Sequence, residues 1–209
     1  MAAYDRTVTV TAPTAAVPGA TAAASAAATA ATAATALSAT TRDSLGKWLT
    51  AGAVTSGAMA ATYVAFSAFV MPMLGRKDDA GFVDSMQRIN VVIENPVFFA
   101  AFFGAMLAPA VAWWKLRKRG GDRTLLKWTA AAFALYTAGV LTTSGINVPL
   151  NEMLASKGDA NPSEVRADFE TTWNVWNGVR AVLSTAAFVC AVKAVRLHRR
   201  IPAFRRAGQ

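Results

Sequence analysis

The chain has 209 residues, 54% of them hydrophobic and only 16% charged, and 21 Lys and Arg against 12 Asp and Glu give a formal charge of +9. One Cys and one His exclude an intrachain disulfide framework, a Cys/His zinc site and a bis-histidine haem held within one chain. A charge fraction this low, combined with long apolar runs, points to an integral membrane protein rather than a soluble domain.

From Thr11 to Thr41 the chain is almost only Ala and Thr, with no aromatic residue and with Val17 and Leu37 as the larger aliphatics. Alanine removes little apolar area from water, so such a stretch cannot offset its own ordering entropy. A disordered tail is therefore expected over residues 1–44. The tail lacks the bulky apolar run behind a basic start that marks a secretory signal.

Four apolar segments follow, over about residues 48–73, 91–114, 125–146 and 173–195. Each can cross roughly 30 Å of hydrocarbon at about 1.5 Å per residue. The expected fold is all-α: a four-helix transmembrane bundle over residues 45–200, with a basic tail over 201–209. In the first segment Ala53, Gly57, Ala61 and Ala65 recur every four residues. Ala100, Gly104, Ala108 and Ala112 do so in the second, and Ala130, Ala134 and Ala138 in the third. Small residues at this spacing let a neighbouring helix backbone approach closely. Packing within the chain is the favoured use of these stripes, and a homo-oligomer is the other.

The connections differ in charge. Lys115, Arg117, Lys118, Arg119 and Arg123 meet only Asp122, and the C-terminal tail has Arg196, Arg199, Arg200, Arg205 and Arg206 with no acid. The connection after the first segment balances Arg76, Lys77 and Arg88 with Asp78, Asp79 and Asp84. The one after the third is acidic, with Glu152, Asp159, Glu164, Asp168 and Glu170 against Lys157 and Arg166. The positive-inside rule then places both termini in the cytoplasm of a cell-membrane protein. The +9 reads as topology, and the partner it implies is the lipid bilayer, not a nucleic acid.

The fourth segment is too short unless its helix extends outward. Asn161-Pro162-Ser163-Glu164 supplies a start: an N-cap, a proline at the first helical position and a capping-box acid. On that helix Trp173, Asn177, Arg180 and Ser184 share one face. Gln87, Asn90 and Glu94 also share one helical face and enter the membrane from the same outer side, with Asn95-Pro96 following. The third segment exits through Asn147-Val148-Pro149-Leu150-Asn151-Glu152. Polar groups thus converge on one outer-leaflet region, the expected ligand site. Its members are Gln87, Asn90, Glu94, Asn147, Asn151, Trp173, Trp176, Asn177 and Arg180. Simpler roles exist for each: Trp as interface anchors, a Glu94–Arg180 ion pair, amides satisfying helix ends near prolines. No set of ligands suggests a metal. His198 lies among arginines as a solvated basic residue, Cys190 has no cysteine partner, and Gly120-Gly121 marks a turn.

These motifs resemble one family. Pro72-Met73-Leu74, Met86-Gln87-Arg88-Ile89-Asn90, Asn95-Pro96, the Asn147–Asn151 run and Trp173-x-x-Trp176-Asn177-x-x-Arg180 look like the anthrone-oxygenase-like family. Its members are small four-helix membrane proteins, mostly of unknown function. The resemblance covers about Trp48 to Arg196. It implies a cofactor-independent oxidoreductase, needing neither metal nor flavin, for a small hydrophobic aromatic or polyketide-like substrate. In that reading Glu94, with Glu152 as rival, is the base. Arg180 holds the developing oxyanion with Asn177 or Asn147, and Trp173, Trp176 and Phe98 wall the slot. The other reading left open is a non-catalytic membrane module that binds a lipid, a small hydrophobic ligand or a partner helix. A transporter is disfavoured, because the inner halves of the spans are poor in polar residues.

Overall fold

A computed structural model describes residue 32 and residues 44–206, with side chains described through residue 200. Apart from residues 32 and 44, which are helical, the stretch expected to be disordered lies outside these residues, as do the side chains of the tail over 201–209. The described residues form five helices and no strand: α1 (Ser44–Leu74), α2 (Asp79–Ile93), α3 (Pro96–Lys118), α4 (Arg123–Lys157) and α5 (Pro162–Arg206). All but α2 are long and apolar enough to cross a membrane. The protein is an all-α, four-helix transmembrane bundle.

Two helix boundaries depart from expectation. The second span does not start at residue 91, because Asn95 separates α2 from α3. Its Oδ1 accepts from the N–H groups of Val97 and Phe98, both at 3.0 Å, and its Nδ2 donates to the carbonyls of Val92 and Ile93 at 3.0 and 3.3 Å. Pro96 takes the first helical position and disfavours helical geometry in the residue before it. One side chain thus ends one helix and starts the next.

The third span does not end near residue 146 either. It runs on to Lys157 through a π-helical turn at Thr143–Asn147, and α1 contains a matching turn at Phe66–Val70. A proline follows each turn at the second position, Pro72 and Pro149. Proline lacks a donor and its ring crowds the carbonyl four residues back. The helix answers by widening: the N–H of Met71 reaches the carbonyl of Phe66, and that of Val148 reaches Thr143.

At the end carrying the acidic connection, apolar residues build a cap above the bundle. Met71 and Leu74 of α1 meet Phe82, Val83 and Met86 of α2, Leu154 of α4, and Val165, Phe169 and Trp173 of α5. Arg166 holds this cap together. It donates to Glu170 at 2.8 Å, to Asp79 at 3.1 Å and to the carbonyls of Lys77 and Gly75 at 2.9 and 3.1 Å, with its guanidinium 4.6 Å from the centre of the Phe82 ring. At the other end Gly120 turns the chain from α3 to α4 with φ of 59°, a left-handed conformation suited to glycine.

Small residues do line the contacts, but not in strict steps of four. Ala53, Ala108 and Ala112 are buried, whereas Ala61, Ala100 and Ala134 are exposed. The buried face of α4 is Leu125, Thr129, Ala132, Tyr136 and Gly139. Alternating steps of four and three hold one face toward a neighbour, while steps of four drift around a helix of about 3.6 residues per turn. One close approach between spans is at Gly52, where an added Cβ would lie 2.9 Å from Cγ of Pro109 on α3. A proline ring cannot swing aside. Gly52→Val is therefore expected to destabilise the bundle by about 1–3 kcal/mol, measured as a lower unfolding temperature in detergent.

Candidate functional site

The buried face of α5 carries Trp173, Asn177, Arg180 and Ser184 into the bundle. Asn177 is fully enclosed, at 0% exposure, and is the hub. Its Nδ2 donates to the Tyr63 carbonyl at 3.0 Å and to Ser67 Oγ, in the α1 π turn, at 2.8 Å. Its Oδ1 accepts from Arg180 Nη2 at 2.9 Å. Arg180, 6% exposed, also approaches Thr143 Oγ1 at 3.5 Å, at the start of the α4 π turn. Its guanidinium lies 4.6 Å from the centre of the Tyr63 ring and 5.3 Å from that of Trp173. The two widened turns therefore meet the linked pair on α5, the α1 turn at Asn177 and the α4 turn at Arg180.

Several polar atoms here have no hydrogen-bond partner among the described residues. Arg180 Nε, the Tyr136 hydroxyl, Ser184 Oγ and both amide atoms of Asn147 are buried without a hydrogen bond. Buried polar atoms are normally paired, and each unpaired one costs about 1–3 kcal/mol. Tyr63 neighbours Tyr136, Thr143 and Arg180. Ser184 faces Gly139, where an added Cβ would lie 4.0 Å from its Oγ. The result is a cation surrounded by hydroxyls and an amide inside an apolar bundle. Among the described residues no carboxylate pairs with it.

The other expected members fall elsewhere. Glu94 is exposed at the end of α2, where it has no ion pair with Arg180. The shared face expected with Gln87 and Asn90 ends at the Asn95 break. Gln87 donates to the Leu154 carbonyl at 2.9 Å, binding α2 to α4, and Asn90 is half-buried beside it. Asn151 accepts from Trp173 Nε1 at 2.9 Å. Trp173 is buried and stacked on Phe169 with centroids 6.0 Å apart, so its ring packs inside the bundle near Arg180 instead of standing exposed as an interface anchor. Trp176 is half-buried and Glu152 exposed. Phe98 stacks on Phe102, which meets Tyr136 edge-on at 6.3 Å. His198, expected in solvent, is half-buried against Gly46.

Tyr63, Ser67, Tyr136 and Thr143 are the members that sequence reasoning missed. The signal for Ser67 and Thr143 was the proline five or six residues downstream of each, which moves the preceding turn out of α geometry.

Residues 95–190 match the model of the anthrone oxygenase family. This is the family that the sequence motifs resemble, and the match covers the Asn95-Pro96, Asn147–Asn151 and Trp173–Arg180 motifs. The matched stretch contains Tyr136, Thr143, Asn147, Asn177, Arg180 and Ser184, and so most of the polar cluster. Tyr63, Ser67 and Glu94 precede it. No curated protein and no solved structure matches the chain.

Proposed function

We propose that this membrane protein binds a hydrophobic aromatic molecule through an anionic oxygen at Arg180 and oxidises it with dioxygen, as the anthrone oxygenase resemblance implies. The observation that carries the reading is a buried arginine that, among the described residues, has an unbonded Nε and no carboxylate partner. A charge inside a bundle is costly and marks a functional site. Here it faces Tyr63, Tyr136 and Thr143, so a ligand oxyanion would meet donors already held in place.

The chemistry is self-consistent for an anthrone. Loss of a proton from the methylene between the rings gives an anion whose charge rests on the carbonyl oxygen, against Arg180. The proton goes to water, since Glu94 stands outside the cluster. The anion passes an electron to dioxygen, the carbon radical and superoxide combine to a peroxide anion, and that anion takes back a proton from water to become a hydroperoxide. Loss of water then gives the quinone: the carbon loses two hydrogens and gains one oxygen, and the second oxygen leaves as water. Phe98, Phe102 and Tyr136 offer the aromatic side of such a site. Topology fits an outer-leaflet position. Arg180 precedes Arg196 by a rise of roughly 24 Å, and the positive-inside rule puts the basic end in the cytoplasm.

The absence of a carboxylate base beside Arg180 favours a second reading, a module that binds an anionic hydrophobic ligand without turning it over. Oxygen uptake with an anthrone, in nanodiscs with and without the protein, separates the two. Uptake faster than in empty nanodiscs is expected. Binding, seen as quenched tryptophan fluorescence, without faster uptake would leave only the second reading. Neither effect would end both.

A further inference from the structure

Away from the polar cluster, α1 and α5 leave a groove of about 240 Å³ at the basic end of the bundle. Thr50 and Val54 of α1 line it with Phe188, Val192, Arg196 and Arg199 of α5. We propose that this groove holds one anionic phospholipid of the bilayer, with an acyl chain against Val54, Phe188 and Val192 and the phosphate on Arg196 and Arg199.

The placement follows from helix periodicity. Phe188, Val192, Arg196 and Arg199 stand at steps of four, four and three, which is one continuous stripe. The stripe changes from apolar to cationic along its length, as a lipid changes from chain to headgroup. Phe188 closes the apolar end, its ring lying where an added Cβ on Gly57 would be 2.9 Å away. Arg196 and Arg199 are exposed and make no hydrogen bond or ion pair among the described residues, so both guanidinium forks are open to a phosphate. The nearby Lys193 is turned onto Trp128, 5.5 Å from the ring centre, and belongs to another face. Val54 and Val189 beside the groove are 65% and 56% exposed, so a lipid reaches it from the side without crossing protein.

The test uses the full chain in phosphatidylcholine nanodiscs containing phosphatidylglycerol, with native mass spectrometry of the lipids kept after detergent extraction. Phosphatidylglycerol is expected to be enriched about tenfold over phosphatidylcholine. Arg196→Gln with Arg199→Gln should abolish the preference. Val192→Trp should fill the groove and reduce retention of both lipids. Anthrone-dependent oxygen uptake should be unchanged in these variants, because the polar cluster is untouched. No enrichment in the parent protein overturns the proposal, whether the groove is empty or filled by the chain's own residues. So does enrichment that survives the double substitution, or displacement of phosphatidylglycerol by excess inorganic phosphate, which would make this a soluble-anion site.

Discussion

Arg180→Gln is expected to lower anthrone-dependent oxygen uptake by about 10²–10³-fold, the usual cost of removing a preorganised oxyanion donor. Its unfolding temperature should stay within a few degrees of the parent, equivalent to about 1 kcal/mol. Two opposing effects produce that small change. Arg180 is a buried cation without a carboxylate partner, so its removal relieves a desolvation cost. Against this, Asn177 Oδ1 loses the donor it holds at 2.9 Å, and Thr143 and the rings of Tyr63 and Trp173 lose a weaker contact. An arginine kept for folding would show the reverse pattern, with collapse of the bundle as the primary defect. Glu94→Gln is the paired control. Glu94 is exposed at the end of α2, and uptake should be unchanged when it is replaced. Loss of uptake with Glu94→Gln and retention with Arg180→Gln would move the chemistry to the membrane surface and end the assignment.

The four spans, the all-α class and the polar face of α5 were legible because each depends on local pattern alone. Asn161-Pro162 marked the start of α5 through its cap chemistry. The same chemistry at Asn95-Pro96 falls inside the expected second segment, residues 91–114, and that placement put Glu94 on a span. The connection over residues 76–90 looked like a polar loop, yet Phe82, Val83 and Met86 are spaced for one side of a helix and form part of the cap cluster. Composition hid this, because the exposed residues between them are charged. The π turns were harder to see. Pro72 and Pro149 announce a disturbed helix but do not say whether it ends, kinks or widens. Only packing against Asn177 and Arg180 decides that, and it is a tertiary fact. Tyr63 and Tyr136 had no signal beyond being tyrosines within apolar runs.

Replacing Asn177 separates the scaffold from the charge it positions. Asn177→Leu removes both interhelical bonds to α1 and leaves Arg180 Nη2 without its acceptor. Interhelical hydrogen bonds in bilayers contribute about 0.6–2 kcal/mol each, and an orphaned buried charge adds more. The expected loss is about 2–4 kcal/mol, read as a large fall in unfolding temperature, with uptake lost because the bundle loosens at both π turns. Asn177→Asp should behave differently. The substitution keeps an acceptor within reach of Arg180 and gives it a negative charge, and the Ser67 hydroxyl can turn to donate to the new carboxylate. Pairing of this kind returns much of the lost stability, so the unfolding temperature should lie well above that of Asn177→Leu. Anthrone affinity and oxygen uptake should nevertheless fall as far as in Arg180→Gln, because the cation is now neutralised by the protein and has little left to offer an incoming oxyanion. A well-folded Asn177→Asp protein that still accelerates uptake would show that the charge of Arg180 does not hold the substrate.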